Sequence, residues 1–391
     1  MTVPTNPGKA ETPKLDTTIM HKGLEGIVAA QTAISHIDGI NGRLFYRGLD
    51  IDDLAAHSTF EETTALLWYG KLPNKSQLDS FKNKFIANRL IPNEVISILL
   101  MLPKQTTPMG VLRTAVSALA PYDPATGDNS LDANVNKSIR LTASLPTIVA
   151  AWDRIRNGLW PVTPSTHLSH AANFLYMLTG KEPSETAARI LDTCLILHAD
   201  HGLNASTFAA RITASTLSNL HSAVVSAIGT LKGSLHGGAN EQVMRMLLEV
   251  GNVDRVDQYM RGAFSAKKKI MGFGHRVYKA DDPRANWLQR LSHELSEASG
   301  NMRWYEISER IRQIVQDNKS LPVNVDFYSA SVYYTMGIPI DLFTPIFAVS
   351  RVAGWTAHVY EQYSDNRLIR PESEYIGPMN VPYTPLDQRG K

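Results

Sequence analysis

Apolar residues in this chain recur every three or four positions, a period that packed α-helices satisfy and β-strands do not. In SETAARILDTCLILHAD the residues Ala187, Ile190, Leu191, Cys194, Leu195 and His198 fall on one face. A second long helix is signalled by Leu217, Leu220, Val224, Ile228 and Leu231, with Gly233 closing it. The same spacing predicts helices near 61–69, 76–89, 110–120, 138–157, 166–179, 239–250, 254–266, 284–299, 304–317 and 327–336. Strand signals are rare. The clearest is TAISHID and RLFYRG on either side of Asn41-Gly42, a pattern for a hairpin with an Asn-Gly turn. The expected fold class is mainly α, with a small N-terminal β-hairpin.

Composition narrows what such a bundle can do. Length, 391 residues, allows a sizeable core and about two or three domains. Net charge is +2, so no global field recruits nucleic acid and any anion site must be local. The single cysteine, Cys194, rules out an internal disulfide framework, favours a reducing compartment and reads as core packing. The opening MTVPTNPGKAETPKL has no apolar segment and no arginine, so it is neither a secretory signal nor a typical transit peptide. Residues 1–20 read as a disordered tail. The run LFTPIFAVSRVAGWTAHVY is long enough to span a bilayer, yet it carries Arg351 and His358 and reads as a buried core helix. These features point to a cytoplasmic protein with neither membrane nor nucleic acid among its partners.

Several motifs fail. There is no Walker A pattern, HExxH or CxxC. In IMGFGHRVYKADDPR, residues 270–284, a dinucleotide fingerprint would need glycine where Val277 stands, and the preceding Lys267, Lys268 and Lys269 make no buried strand. A nicotinamide-dependent oxidoreductase falls with it. A nucleophile elbow at Ser234 fails because Lys232 occupies a glycine position. His198 and His201 flank Asp200, but His198 lies on an apolar face and no third ligand is evident, so no metal is expected.

Four segments place polar residues where an ordinary explanation is strained: His201 in HADHGLNAS, His236 in GSLHGGAN, His275 in GFGHR and Asp326 in VNVDFYSA. Taken singly, each has such an explanation. A histidine at a helix C-terminus complements the dipole, glycines serve left-handed turns, and Asp326 would cap a helix starting at Phe327.

Together they sharpen. HADHGLNAS, LKGSLHGGANE, KIMGFGHRVYKADDPRA, NVDFYSA, FAVSRVAGWTAH and RLIRPE, in this order, closely resemble the citrate synthase family. EGIVAAQTAISHIDGINGRLFYRG looks like that family's N-terminal segment, so the resemblance runs from about residue 24 to the C-terminus. One departure is Ser234, where many members have proline; it touches turn rigidity rather than a catalytic atom.

The resemblance implies a two-domain, all-helical fold, with residues 21–236 and 331–391 in a large domain and 237–330 in a small one. It implies condensation of acetyl-CoA with oxaloacetate to citrate and CoA, with acetyl-CoA as a substrate and no cofactor or metal. Asp326 would be the base, His236 would stabilise the enolate, and His275 would polarise the ketone. His201, Arg284, Arg351 and Arg370 would bind oxaloacetate. Arginine suits a dicarboxylate through its planar fork, and Arg351 lies in an otherwise apolar helix, where an unpaired charge costs several kcal/mol. CoA would meet Lys267, Lys269, Met271, Gly272, Phe273, Gly274 and Arg276. In the family the residue matching Arg370 is supplied by the partner subunit, which implies a homodimer with a shared active site. The nearest rival is 2-methylcitrate synthase, using propionyl-CoA in the same fold. A more distant one is a CoA- or dicarboxylate-binding protein with a defunct site.

Overall fold

The computed structural model describes residues 21–275 and 277–390. The proposed N-terminal tail and the proposed CoA contact Arg276 lie outside the described residues. Two units divide the chain, Met1–Thr32 and Ala33–Lys391. Among the described residues of the first, the one helical element is a 3-10 turn at Lys22–Leu24.

The second unit opens with antiparallel strands β1 (Ser35–Asp38), β2 (Arg43–Tyr46) and β3 (Leu49–Asp50), in that spatial order. The sheet therefore has three strands, one more than the hairpin expected. Asp38 pairs with Arg43, so the β1–β2 connection is the four residues 39–42 rather than a two-residue Asn-Gly turn. The Asp38 carboxylate organises it by accepting from the amides of Ile40 and Asn41 and from Asn41 Nδ2. Gly42, at φ +64°, supplies the left-handed residue.

Helices make up most of the rest. They are α1 (Ile51–His57), α2 (Phe60–Tyr69), α3 (Lys75–Ala87), α4 (Asn93–Met101), α5 (Pro108–Leu119) and α6 (Leu131–Arg156). Then come α7 (His170–Thr179), α8 (Glu185–His198), α9 (Ala205–Ser215), α10 (Leu220–Leu231) and α11 (Ala239–Val250). The last are α12 (Val256–Ser265), α13 (Pro283–Ser299), α14 (Arg303–Lys319), α15 (Val325–Thr335) and α16 (Phe343–Ser364). Side-chain caps start many of them: Asn74, Ser130, Ser169, Ser184, Asn204, Asn219, Asp282 and Asn324 each accept a first-turn amide.

Two differences from the sequence reading have local causes. Asn219 caps α10, so Leu217, at φ +62° and 62% exposed, lies in the connection and not on the apolar face. Helix α9 was not expected; its buried apolar face is made of Ala210 and Ala214, which give almost no periodic signal. It packs along α10 and α16.

Helix α16 is buried on all sides over most of its length, which explains why apolar residues run all round it, with Arg351 and His358 buried among them. Among the described residues no helix is long and apolar enough to cross a membrane. Cys194 is wholly buried in the core, as its place on the apolar face of α8 indicated. The loop after α8, the α10–α11 turn, the α12–α13 loop and the starts of α13 and α15 bring the remaining polar side chains together beside α16.

Candidate active site

The loop after α8 is fixed from both sides. Tyr46 Oη donates to the Asp200 carbonyl at 2.8 Å, and Arg351 Nε donates to the His198 carbonyl at 2.6 Å. His201 is thereby held in a buried position, its Nε2 3.3 Å from Tyr278 Oη and its ring 5.2 Å from that of His275. Burial, aided by the Arg284 and Arg351 guanidiniums, keeps His201 well below the usual histidine range, so it is neutral near pH 7.

The loop between α12 and α13 is stitched to the segment entering α15. Phe273 bridges Val323, the Gly274 amide donates to the Pro322 carbonyl, and the Asn324 amide donates to the Gly272 carbonyl. A Cβ on Gly272 would lie 2.6 Å from the Phe327 ring, so this glycine is required by packing. Beyond the stitch, His275 Nδ1 accepts from the amides of Val277 and Tyr278 at 3.0 and 3.1 Å. An amide can only donate, so the ring proton sits on Nε2. Burial and then Arg284 push this imidazole down to about 4.

His236 lies on the turn between α10 and α11 and has the opposite tautomer. Its Nε2 accepts from the Ser206 amide at 3.3 Å and sits 2.8 Å from Ser206 Oγ, leaving Nδ1–H to point elsewhere. Trp355 Nε1 holds the same hydroxyl at 3.1 Å. Burial and Arg351 push His236 down to about 4. Both imidazoles are thus neutral hydrogen-bond donors near pH 7.

Asp326 occupies the first turn of α15, but it is not the cap. Asn324 caps the helix and accepts the Asp326 amide at 3.1 Å. The Asp326 side chain is freed for another task and receives no hydrogen bond from the described residues. Burial raises its carboxyl to about 6; Arg284 and Arg351 oppose the rise and Asp282 adds to it.

The arginines differ. Arg284, at the second position of α13, is buried, with Nε and Nη2 bonded to the two oxygens of Asp282 at 2.9 and 2.6 Å. Only Nη1 is left without a bond among the described residues. Arg351, 1% exposed, uses Nε on the His198 carbonyl and stacks 4.5 Å over the Phe347 ring. Its two terminal nitrogens make no hydrogen bond among the described residues, and burial lowers its ionisation to about 10. That is an open fork in an apolar wall. Arg370 is not brought into this cluster. It is exposed beyond α16 and pairs with nothing among the described residues.

Of the proposed CoA contacts, Lys267 and Lys269 are exposed and their side chains are unpaired among the described residues. Met271 is partly buried, Phe273 packs 4.7 Å from the Phe327 ring, and Gly274, at φ +81°, has open space around it. Lys268, between the two free lysines, is engaged by Glu249 and Tyr259.

Sequence reasoning passed over several residues that build the site: Asp282, Ser206, Tyr278, Asn324, and the fully buried pair Asp200–His358, with Nε2 3.2 Å from Oδ1. Asp282 and Asn324 gave a local signal, as caps at the starts of α13 and α15. His201, His275 and Asp282 also bring donor atoms within 4.8 Å of one another. The set suits a metal poorly, because Asp282 is spent on Arg284 and a cation would sit beside that guanidinium.

A half-buried carboxylate kept basic, two neutral imidazoles each with one N–H uncommitted among the described residues, and an open arginine fork are the groups that enolising a weak carbon acid beside an anionic substrate would need. Comparison with known proteins agrees with that class. The family model for the citrate synthase C-terminal domain matches residues 23–372. A citrate synthase of Haloferax volcanii is 50% identical over 375 residues, 95% of this chain and 99% of that protein. The crystal structure of citrate synthase from Thermotoga maritima aligns with a TM-score of 0.85 at 44% identity, over 95% of this chain and 100% of that one. The enzyme of Thermoplasma acidophilum, solved as a ternary complex with carboxymethyl coenzyme A and oxaloacetate, aligns at 0.89 and 32% identity, over 94% and 99%. The chain belongs to the citrate synthase family. It is an enzyme of the acyl-transferring class, and within the family the citrate synthase activity is better supported than that of 2-methylcitrate synthase. A 2-methylcitrate synthase of Mycobacterium tuberculosis also matches, at 43% identity over 91% of this chain and 90% of that protein.

Proposed function

We propose that this enzyme condenses acetyl-CoA with oxaloacetate through Asp326, His236 and His275. Asp326 removes a proton from the thioester methyl group while His236 Nδ1–H binds the developing enolate oxygen. An ordinary carboxylate is too weak a base for this carbon acid; one whose conjugate acid lies near 6 is better matched, and the enolate must be stabilised in the same step. The enolate carbon then attacks the ketone carbon of oxaloacetate, whose oxygen is polarised by His275 Nε2–H. His275 protonates the new alkoxide, and the proton taken by Asp326 restores the balance. Water then cleaves the C–S bond of citryl-CoA, giving citrate and free thiol.

Arg351 binds one carboxylate of oxaloacetate through its open fork, with Arg284 Nη1 and His201 completing the cage. Arg370 serves the site of a second copy. Two features support a homodimer. Arg370 has no partner among the described residues, and the segment that carries it exposes the large apolar side chains Leu368, Tyr375, Ile376, Met379, Val381 and Tyr383. Residues 237–330 act as a small domain that closes over bound oxaloacetate and completes a CoA site from Lys267, Lys269, Met271, Gly272, Phe273, Gly274 and Arg276, excluding water. The setting is the cytoplasm, and no cofactor or metal is used.

The observation that carries this reading is the Asp326 carboxylate, raised, without a hydrogen bond among the described residues, and within the field of two arginines. The test is oxaloacetate-dependent thiol release from acetyl-CoA, with propionyl-CoA in parallel. A higher kcat/KM for propionyl-CoA would move the assignment to 2-methylcitrate synthase, since one methylene is worth about 1–3 kcal/mol. No release with either would leave a binding protein.

A further inference from the structure

The β1–β2 hairpin touches both histidine loops, and nothing in the proposed chemistry requires it. At its base, Ser35 Oγ donates to Asp200 Oδ2 at 2.5 Å and accepts the Gly202 amide at 3.1 Å, so one hydroxyl grips the residues on either side of His201. At its tip, the Gly39 carbonyl accepts the Lys279 amide at 2.8 Å. A Cβ on Gly39 would lie 2.4 Å from the Val277 carbonyl oxygen, and one on Gly42 would lie 2.8 Å from that of Asp281. The tip therefore rests on the segment 277–279, and two amides of that segment fix the His275 tautomer.

We propose that this hairpin is a positioning brace against which the His275 loop comes to rest when residues 237–330 close, so that Ser35 and Gly39, its two contact points, set the separation of the His201 and His275 loops at closure. It rests on the functional reading above. The division of labour along the hairpin supports it. Ile34, Leu44 and Tyr46 anchor the sheet in the core, whereas the tip buries no large side chain, with Ile40 80% exposed. Burial thus stabilises the base, while the tip contacts a backbone at a distance that only glycine permits. Gly39 has no positive φ, so its lack of a side chain answers to Val277 and not to its own conformation.

Gly39→Ala is the direct test, because alanine suits the local backbone and the added methyl pushes only on the His275 loop. The expected result is a rise in KM for oxaloacetate and a fall in kcat of about 100-fold, the scale of a misplacement near 1 Å. The melting temperature without ligand should match that of wild type, and the rise in melting temperature caused by oxaloacetate should be lost. Ile40→Ala, at the same tip, should change nothing. Ser35→Ala should weaken oxaloacetate binding and Ser35→Thr, which keeps the hydroxyl, should restore it; this pair decides the matter if Gly39→Ala does not fold. The double variant Ser35→Ala/Gly39→Ala should lose less than the sum of the singles. Unchanged kinetics in Gly39→Ala, or a loss that merely follows its fraction folded, overturns the brace while the wild type stays active. A wild type that neither binds oxaloacetate nor releases CoA overturns the functional reading first, and the brace with it.

Discussion

Replacing Asp326 by Asn should silence the enzyme and at the same time stabilise it. The carboxyl is raised from 3.8 to about 6 by burial, against the pull of Arg284 and Arg351. A raised acid binds its proton more tightly in the folded state than in the unfolded chain. Keeping it ionised above pH 6 therefore costs stability, and below about pH 4 both states are protonated and the cost vanishes. A rise from 3.8 to about 6 corresponds to about 3 kcal/mol at neutral pH. Asparagine keeps the shape and removes the charge, so Asp326→Asn should gain about that amount above pH 6 and progressively less as the pH falls towards 4. Unfolding of the two proteins by denaturant across this pH range measures the difference. Turnover should meanwhile drop by about 100- to 10,000-fold, the usual contribution of a general base. A variant no more stable than wild type at neutral pH would refute the reasoning, as would a gain that persists unchanged in acid.

Two further outcomes follow from the same geometry. The acid limb of kcat/KM should be a single ionisation centred near 6, where Asp326 loses its proton, because His236 and His275, at about 4, are already neutral. A limb following a histidine of ordinary basicity would assign the base elsewhere. For the shared site, Arg370→Ala and Asp326→Asn should each be inactive alone, yet a mixed population of dimers should regain about a quarter of wild-type activity, since one site in each heterodimer keeps both residues. No recovery on mixing would place Arg370 in its own subunit's site or outside the site altogether.

Most helices with large apolar residues on one face were legible, as in α8 and α11, but the short α1 and α4 were not, and α6 begins at Leu131, seven residues before the stretch expected. Helix α9 escaped because it packs through alanines. The hairpin was visible as two strands about Asn41-Gly42, but its register was not, since Asp38 rather than the Asn-Gly pair organises the connection. In the candidate site, the ordered motifs pointed to His201, His236, His275, Asp326, Arg284 and Arg351, which the structure gathers beside α16, and to Arg370, which it leaves exposed beyond that helix. Asp326 was weighed against a capping role that the structure gives to Asn324, two residues earlier. Asp200 and His358 were each visible, but their pairing was not, because they are separated by 158 positions.

The sequence by itself determined that the chain would be helical, which family it resembles, and which acids, bases and cations are available. Those properties are local: a 3.6-residue period and a set of short ordered motifs are written in neighbouring residues. Only the tertiary structure decided the state of each group. It buries Asp326 until its carboxyl is basic, occupies Nδ1 of one histidine and Nε2 of the other, closes one edge of Arg284 with Asp282 and leaves the fork of Arg351 open. Proton affinity and tautomer answer to desolvation and to partners distant in sequence, and both come into being only when the chain has folded.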